Sequence, residues 1–333
     1  MRAAVGIVGL ALAVLVAPSL APARARKPSP GLSKVKWRLV LGSSVLGAET
    51  VVANDRYVAF LYGSSFPYRS MLIDEQTARR QRISSTDCAN PVPLALGGPS
   101  LLVTCPTNPP GMPETYQLYD LGSGSWTPFQ ISSQCFGDCL PVAVGRYWVK
   151  IVSDEGEPDG YPRYDYYLQN IATGQFEPDP ATPGGTVFDD LNVPAGSVPL
   201  CRPLHYPSVD DREGIFLGRL GFYGQFAVTY QRSLSQSGPA WSLRRCGSKL
   251  DLRIAADPEA NTPASSRAVV TTHDGATLHG WFLPSLRRFT IRPALHDSVS
   301  PVAVTRRTIY VRTGNNGQLW AATLPSPRQR SHH

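Results

Sequence analysis

Tyrosines and carboxylates come together in one segment of the sequence. Tyr161, Tyr164 and Tyr166 follow an acidic stretch that contains Asp154 and Glu157. Tyrosine rings stack on the apolar faces of sugars and also enrich protein interfaces, because they bring a large rigid surface and a hydroxyl at low entropic cost. The segment therefore predicts binding of a glycan or a protein. The alternative is that the tyrosines of YDYYLQN line both sides of a strand.

The same acidic stretch offers oxygen ligands for calcium. Its candidates are Asp154, Glu155, Glu157 and Asp159. Calcium takes roughly six to eight oxygens, but the stretch lacks the order of an EF-hand loop and is interrupted by Pro158. We therefore expect neither a resident metal nor a cofactor.

Six cysteines suggest disulfide bonds, since cysteines of exported chains pair in oxidising compartments. Their positions favour three bridges: Cys88–Cys105, Cys135–Cys139 and Cys201–Cys246. The alternative of a zinc site has little support, because Cys135 and Cys139 have no second ligand pair at zinc-site spacing.

Motifs for hydrolysis are incomplete. The segment TTHDGATLHGW from Thr271 to Trp281 resembles the opening of the hydrolase domain of prolyl-oligopeptidase-type peptidases. The chain has no G-x-S-x-G nucleophile elbow, so Asp274-Gly275 is interpreted as a type I′ hairpin turn. The histidines lack the spacing of helical zinc ligands: His205, His273, His279 and His296. A pair of acids for glycoside cleavage remains an alternative, because the distance between the two carboxylates decides that mechanism and the sequence does not give this distance.

The N-terminus has the pattern of an export signal. Met1 and Arg2 precede an apolar run over residues 3–20 that is short for a bilayer span, and small-x-small cleavage sites follow up to residue 25. We expect a signal peptide over residues 1–25, a linker over 26–34 and a secreted or periplasmic product. An uncleaved anchor is the alternative, and no later segment is apolar enough to span a membrane.

Composition points to an all-β protein. Charged residues make up 17%, and the chain contains 29 Gly and 31 Pro, which favours many turns over long helices. The net charge is +7, but no run of Lys and Arg is interleaved with aromatics. We therefore do not expect nucleic-acid binding, but we expect a weak preference for anionic surfaces.

A unit of four short strands recurs along the chain. The clearest copy reads VPLALGG, SLLVTCP, TYQLYDL and WTPFQIS between Val92 and Ser132. Further copies cover Thr50 to Ser84, Pro141 to Pro180, Ile215 to Ala255 and the stretch up to Pro293. The last copy, PVAVT, TIYVRTG and LWAATL, has no fourth strand, and the isolated segment VKWRLVL of residues 35–41 can supply it.

The repeats resemble the β-propeller superfamily, in the manner of TolB-like or kelch-like repeats. Tyr119 to Trp126 has the Asp, turn and Trp of a kelch repeat end, and Asn170 to Gly174 occupies the same position. The resemblance implies a single propeller of about six four-stranded blades over residues 35–325, closed by the N-terminal strand, with a basic disordered tail over 326–333. A pair of β-sandwiches is the alternative, since even strand spacing suits both.

Propeller topology places the long connections at one face of the molecule, together with most of the cysteines. Disulfides there reduce the ordering entropy that a ligand must overcome. We therefore expect a monomeric binding module for a protein or cell-envelope glycan rather than an enzyme. The alternatives are an extracellular glycoside hydrolase or lyase with acids at the channel mouth, and long loops that are only tolerated at the surface.

Overall fold

The structure of the protein is a computed structural model, and the residues that it describes form six antiparallel β-sheets. The structure describes residues 35–42, 50–63, 67–88, 90–106, 114–154, 164–178, 221–223, 226–231, 240–245, 248, 250–255, 261–314 and 317–326. Strands dominate this part of the chain, so the all-β prediction is confirmed. The described residues contain no helix long and apolar enough to cross a membrane.

The first three sheets are meanders of strands that follow one another in the chain. Sheet 1 contains β2 (Val51–Ala53), β3 (Tyr57–Tyr62), β4 (Arg69–Asp74) and β5 (Arg79–Ile83). Sheet 2 contains β6 (Val92–Gly97), β7 (Ser100–Cys105), β8 (Thr115–Asp120) and β9 (Trp126–Phe129). Sheet 3 contains β10 (Asp138–Val144), β11 (Trp148–Asp154), β12 (Tyr164–Asn170) and β13 (Phe176–Pro178).

The other three sheets repeat this order with two variations. Sheet 4 contains β14 (Gly221–Tyr223), β15 (Phe226–Gln231), β16 (Ala240–Arg245) and β17 (Asp251–Ala255). Sheet 5 contains β18 (Ala268–Thr272), β19 (Leu278–Phe282) and β20 (Arg288–Ile291). Sheet 6 contains β21 (Val299–Val304), β22 (Thr308–Thr313), β23 (Leu319–Thr323) and, from the other end of the chain, β1 (Trp37–Leu41).

β1 is the fourth strand of sheet 6. It pairs antiparallel with β23, with Trp37 opposite Ala322 and Leu39 opposite Trp320. Without β1, the backbone N–H and C=O groups of β23 would form an open edge. The predicted pairing of the N-terminal strand with the last unit is confirmed.

Sheet 5 departs from the predicted four strands. Its first strand is reduced to a single bridge between Ala264 and Val269. The preceding residue, Pro263, has no amide N–H to donate to a ladder, although its carbonyl still accepts the N–H of Val270 at 3.0 Å. Proline therefore limits pairing at this position.

In sheets 1, 2, 3, 5 and 6, two turns of the repeat lie at the same end of the sheet. The inner turn precedes the second strand of the repeat, and the outer turn follows the third. In sheet 1 the N–H of Glu75, directly after the third strand, donates to the carbonyl of Arg56 in the inner turn at 2.9 Å. The equivalent donors and acceptors are Leu121 and Pro99, Ile171 and Tyr147, Leu283 and Arg267, and Leu324 and Arg307. We call this end the turn face and the opposite end, which carries the remaining connections, the loop face.

Hydrophobic clusters fill the spaces between neighbouring sheets. They join sheets 4 and 5, 5 and 6, 6 and 1, 1 and 2, and 2 and 3. Their fully buried side chains include Leu243, Ile291, Tyr310, Leu101 and Ile151. Each sheet is thus covered by its neighbours in this order. The connection over residues 179–220, between sheets 3 and 4, lies outside the described residues.

Candidate functional site

One disulfide fixes the loop face between sheets 1 and 2. Cys88 lies in the connection between these sheets and Cys105 ends β7, and their Cα atoms are 5.4 Å apart. Both residues are buried in the core between the two sheets. This predicted bridge is confirmed, and it ties the connection to the second strand of sheet 2.

The second disulfide closes a small loop between sheets 2 and 3. Cys135 and Cys139 are bonded with their Cα atoms 6.3 Å apart, as predicted. The hydroxyl of Ser153 donates to the carbonyl of Phe136, so the loop is also held from β11. The third predicted bridge, Cys201–Cys246, lies outside the described residues.

This loop presents an apolar stripe to solvent. Phe136 is 71% exposed, and Leu140 and Val142 of β10 are 51% and 45% exposed. Leu140 and Val142 point the same way because alternate residues of a strand share a face, while Pro141 between them is buried. Contiguous exposed apolar side chains mark interaction sites more often than isolated ones do.

A cleft of about 550 Å³ lies beside β1, the edge strand of sheet 6. Trp37 and Trp320 supply its aromatic lining. Polar groups come from the strand start, the connection between β20 and β21, and the turn between β22 and β23: Lys36, His296, Asp297, Thr313 and Gln318. Two indoles with several polar side chains are a composition suited to sugars, which have both apolar faces and hydroxyl edges.

The walls of this cleft are positioned by the pairing of β1 with β23. Leu39 lies opposite Trp320, so β1 brings Trp37 to the same sheet as Trp320. The N–H of Gly314 donates to the carbonyl of Ser298 at 2.9 Å, which joins the two loop-face connections that line the cleft.

The two indole N–H groups differ in their partners. The indole of Trp320 donates to the side-chain oxygen of Gln318 at 3.3 Å. The indole nitrogen of Trp37 is buried and has no hydrogen-bond partner among the described residues. Buried donors are normally satisfied, so the Trp37 N–H is an unpaired donor on a residue that lines the cleft.

The described lining of the cleft includes one carboxylate, that of Asp297, which accepts the N–H of Ser298 at 2.9 Å. The usual glycoside hydrolases use a pair of carboxyl groups. Another buried carboxylate, Glu75, accepts hydrogen bonds from Tyr310 and, at 2.5 Å, from Thr308. Burial and the charge of Glu75 raise the pKa of Tyr310, which keeps its phenol protonated as a donor. Glu75 therefore acts in the packing of sheets 1 and 6.

The predicted hairpin at Asp274-Gly275 is present, but its turn type is different. Residues 273–277 form the loop between β18 and β19, and within it only Gly275 has a positive φ, of 65°. Asp274 accepts the N–H groups of Ala276 and Thr277 at 2.9 and 2.7 Å. The type I′ prediction was wrong, because a side-chain cap supports a longer turn here. No three His, Cys, Asp or Glu side chains come together as a metal site in the part of the chain that the structure describes.

The tyrosine segment predicted from the sequence is only partly within the described residues. Asp154 and Tyr164 face each other as backbone partners at the ends of β11 and β12. The ring of Tyr166 is half-buried, with the ammonium of Lys150 4.8 Å from its centroid. The other candidates lie outside the described residues: Glu155, Glu157, Asp159 and Tyr161. Ligand binding by this segment stays a prediction.

Sequence reasoning missed both features that the loop face presents most clearly. Trp37 was assigned only to the closing strand, although a tryptophan on an edge strand is a signal for a binding surface. Phe136 lies between two cysteines that are four positions apart in the sequence, and the loop that they close leaves it 71% exposed.

Comparison with known proteins defines the fold alone. No protein-family model matches the chain, and no curated protein matches it in sequence. The β-propeller domain of the Trilobed protease from Pyrococcus furiosus, which has an open velcro topology, is 10% identical, with a TM-score of 0.50 over 86% of this chain and 94% of that one. The protein therefore has the β-propeller fold that its repeats predict.

Two further solved structures are similar at lower scores. TolB from Acinetobacter baumannii is 12% identical with a TM-score of 0.37, and the match covers 83% of this chain and 54% of that one. The acylaminoacyl peptidase of Pyrococcus horikoshii is 10% identical with a TM-score of 0.48, over 83% of this chain and 52% of that one. This chain thus spans about half the length of either protein.

Proposed function

We propose that this protein is an extracytoplasmic binding module whose loop face holds a glycan of the cell envelope. The observation that carries the proposal is the cleft of Trp37 and Trp320, with an indole N–H that has no protein partner among the described residues. Indole faces stack on sugar rings, and a buried N–H gains a hydrogen bond when a sugar hydroxyl enters.

Export of the protein is supported by its disulfides. Both described bridges are at the loop face, and disulfides persist in secreted and periplasmic proteins but are rare in the cytosol. We propose that residues 1–25 are removed as a signal peptide and that the mature protein acts outside the cytoplasm as a monomer.

We further propose a single ring of six blades, closed by β1. The order in which the hydrophobic clusters join sheets 4, 5, 6, 1, 2 and 3 supports a ring. A sheet composed of strands from both ends of the chain protects its edges and links the termini.

Binding is favoured over catalysis by the charges of the cleft. Asp297 is the one carboxylate in its described lining, and it already accepts a backbone N–H. A glycoside hydrolase or lyase needs at least a second group that exchanges protons with the substrate. The extracellular carbohydrate-active enzyme is therefore the less supported alternative.

A protein partner is a second candidate, because of the apolar stripe. Phe136 stands exposed on a loop held by a disulfide, beside Leu140 and Val142. Rigid exposed aromatics act as anchors in protein interfaces, since little conformational entropy is lost when they are buried.

The glycan proposal is tested by titrating soluble envelope polysaccharide fragments into the protein and measuring affinity by calorimetry. Trp37→Phe keeps most of the ring surface but removes the N–H, and we expect it to weaken binding about tenfold, whereas Trp320→Ala abolishes binding. Trp126→Phe, in sheet 2 against Tyr119, is the matched control and should bind like the unchanged protein.

The same titration separates the alternatives. Equal loss of affinity in Trp126→Phe and Trp37→Phe, or no binding by any variant, would count against the glycan site. In a separate pull-down with the immobilised protein, retention of an envelope protein that is lost in Phe136→Ala but kept in Trp37→Phe would favour the apolar stripe. Release of shortened fragments during the titration would favour the enzyme.

A further inference from the structure

The turn face concentrates arginines. The described inner turns, at residues 54–56, 98–99, 145–147, 265–267 and 305–307, contain one aspartate, Asp55. The same inner turns contain five arginines: Arg56, Arg146, Arg267, Arg306 and Arg307. Arg146, Arg306 and Arg307 are exposed, the side chain of Arg306 by 69%. These arginines come from the inner turns of four different sheets, so the fold gathers them.

The turns are bonded to one another, which makes the arrangement rigid. The N–H of Arg306 donates to the carbonyl of Asp55 at 3.0 Å, and the N–H of Ser266 donates to the Asp55 carboxylate at 2.8 Å. The guanidinium of Arg267 donates to the carbonyl of Arg306 at 3.0 Å. The inner turns of sheets 1, 5 and 6 are thus joined, which holds Arg267, Arg306 and Arg307 on a fixed base.

The carboxylates near these turns are engaged within the fold. Asp55 is bonded to the hydroxyl of Ser266 at 2.5 Å and pairs with Arg306 at 3.4 Å. Glu75 is 8% exposed. Asp74 pairs with Arg56 through bonds of 2.9 and 2.7 Å, which hold the pKa of Asp74 well below its usual range. Arg56 is therefore neutralised. Asp120, at the start of the outer turn of sheet 2, accepts the N–H groups of Gly122 and Ser123 at 2.9 and 2.6 Å. The exposed side chains of Arg146 and Arg307 lie on the inner turns of sheets 3 and 6.

The described part of the loop face also carries carboxylates. Those at or beside its connections include Asp87, Glu114, Asp138, Asp165, Asp274 and Asp297. Cations there include Arg69 and Arg292. Among the described residues, the exposed arginines of the inner turns favour contact of the turn face with an anionic surface.

We propose that the turn face binds an anionic lipid surface through its arginines. The inner turns are two or three residues long, so no described inner turn rises as a long loop above the face. The arginines come from turns of different sheets around the inner strands, which forms a two-dimensional array rather than a linear track. Phosphates of lipid headgroups lie in a plane and match such an array, and arginine binds phosphate through two hydrogen bonds.

This interaction goes beyond the proposed glycan binding, which uses the Trp37–Trp320 cleft at the edge of sheet 6. β1 starts at the turn-face end of this sheet, since Trp37 pairs with Ala322 near the end of β23, and the cleft extends from there to the loop-face connections that line it. Phe136 lies at the loop face, away from a surface bound to the inner turns.

Vesicle co-sedimentation of the full chain tests the proposal, with phosphatidylcholine vesicles that contain or lack phosphatidylglycerol. We expect binding to the anionic vesicles that weakens with added salt. Each exposed arginine near the surface contributes about fivefold to partitioning, so the pair Arg146→Gln and Arg307→Gln should lower partitioning about 25-fold. The matched control is Arg69→Gln with Arg292→Gln, which removes the same charge from the loop face and should change partitioning less than twofold.

Several results would overturn the proposal. One is an equal loss of partitioning in both double variants, and another is equal binding to both kinds of vesicle. A third is displacement from anionic vesicles by polyphosphate at a phosphate concentration below that of the vesicle lipid, which would indicate a soluble polyanion as ligand. Arg307→Gln alone, with an expected fivefold loss, replaces the double variant if that variant does not fold. The apolar segment of residues 3–20 binds both kinds of vesicle, so the variants are compared by the difference between their binding to anionic and to neutral vesicles. Glycan affinity, measured separately, should be unchanged in the arginine variants.

Discussion

Glu75 is a carboxylate that joins two sheets distant in the sequence. It lies directly after β4 of sheet 1 and accepts hydrogen bonds from Tyr310 and Thr308 of β22, with Arg38 of β1 at 4.0 Å. Tyr310 is fully buried, so its hydroxyl depends on this acceptor. A single acid thus satisfies two buried donors where the first and last repeats meet.

Removal of this carboxylate should destabilise the fold. We expect Glu75→Ala to lower the free energy of unfolding by about 2–3 kcal/mol, because the hydroxyls of Tyr310 and Thr308 lose their acceptor while staying buried. Urea denaturation followed by tryptophan fluorescence measures the change. Asp165→Ala, at an exposed position of β12, is the control and should shift stability by less than about 0.5 kcal/mol. Equal stability of the two variants would contradict the role of Glu75.

His279 should make the stability depend on pH. Burial lowers the pKa of His279 below its ordinary value of 6.5, and the nearby His273, with its ring 5.4 Å away, lowers it further. The unfolded chain therefore binds the proton more readily, so stability should fall as pH drops below about 6.5. We expect the decrease in Tm between pH 7.5 and 5.5 to be smaller in His279→Gln, as measured by calorimetry. His296→Gln, at an exposed position, should retain the full decrease.

At the scale of elements, the outer turns follow one pattern. Asp74, Asp120 and Asn170 each start a turn and accept N–H groups from residues two or three positions ahead. The fifth position has a positive φ, of 74° at Gly124 and 72° at Gly174. The resemblance of these two segments in the sequence thus reflects one shared turn geometry.

Sheet 1 departs from this pattern at Ala78, which gives a prediction of increased stability. Ala78 has a φ of 57° at the position where the other turns have glycine. Because its Cβ is unfavourable in this conformation, Ala78→Gly should raise the free energy of unfolding by about 0.5–1 kcal/mol, and Gly124→Ala should lower it by about 1 kcal/mol. Denaturant titration of both variants measures these changes. A decrease in Ala78→Gly would show that the turn tolerates alanine without strain.

At the scale of the whole molecule, β1 should decide whether the propeller is stable. A chain that begins at residue 35 retains every described strand, whereas one that begins at Gly42 lacks β1. We expect the first to unfold at the same Tm as the full chain. The second should unfold at a Tm at least 10 °C lower and should aggregate, because it loses Val40 from the core and exposes the edge of β23. Calorimetry and size-exclusion chromatography measure both, and equal Tm values would argue against closure by β1.

The sequence by itself determined the repeating order of strands, the two disulfides and the partner of β1. These features are local or repeated: alternating apolar residues and Gly- or Ser-rich turns recur in each unit, and Cys135 and Cys139 are four positions apart. The first strand of the fifth repeat was unclear in the sequence, and the structure describes it as a single bridge next to Pro263, which has no N–H to donate.

Only the tertiary structure decided which distant residues share a surface. Trp37 lines the same cleft as Trp320 because antiparallel pairing with β23 fixes the register of β1. Asp55 accepts the N–H of Ser266 because the inner turns of different sheets converge. Gly97 shows the same dependence, since a Cβ there would lie 1.8 Å from the carbonyl oxygen of Val144 in the next sheet. Strand patterns specify each sheet locally. Packing between sheets forms the cleft, brings the inner-turn arginines to one face and requires glycine at position 97, where two sheets approach each other closely.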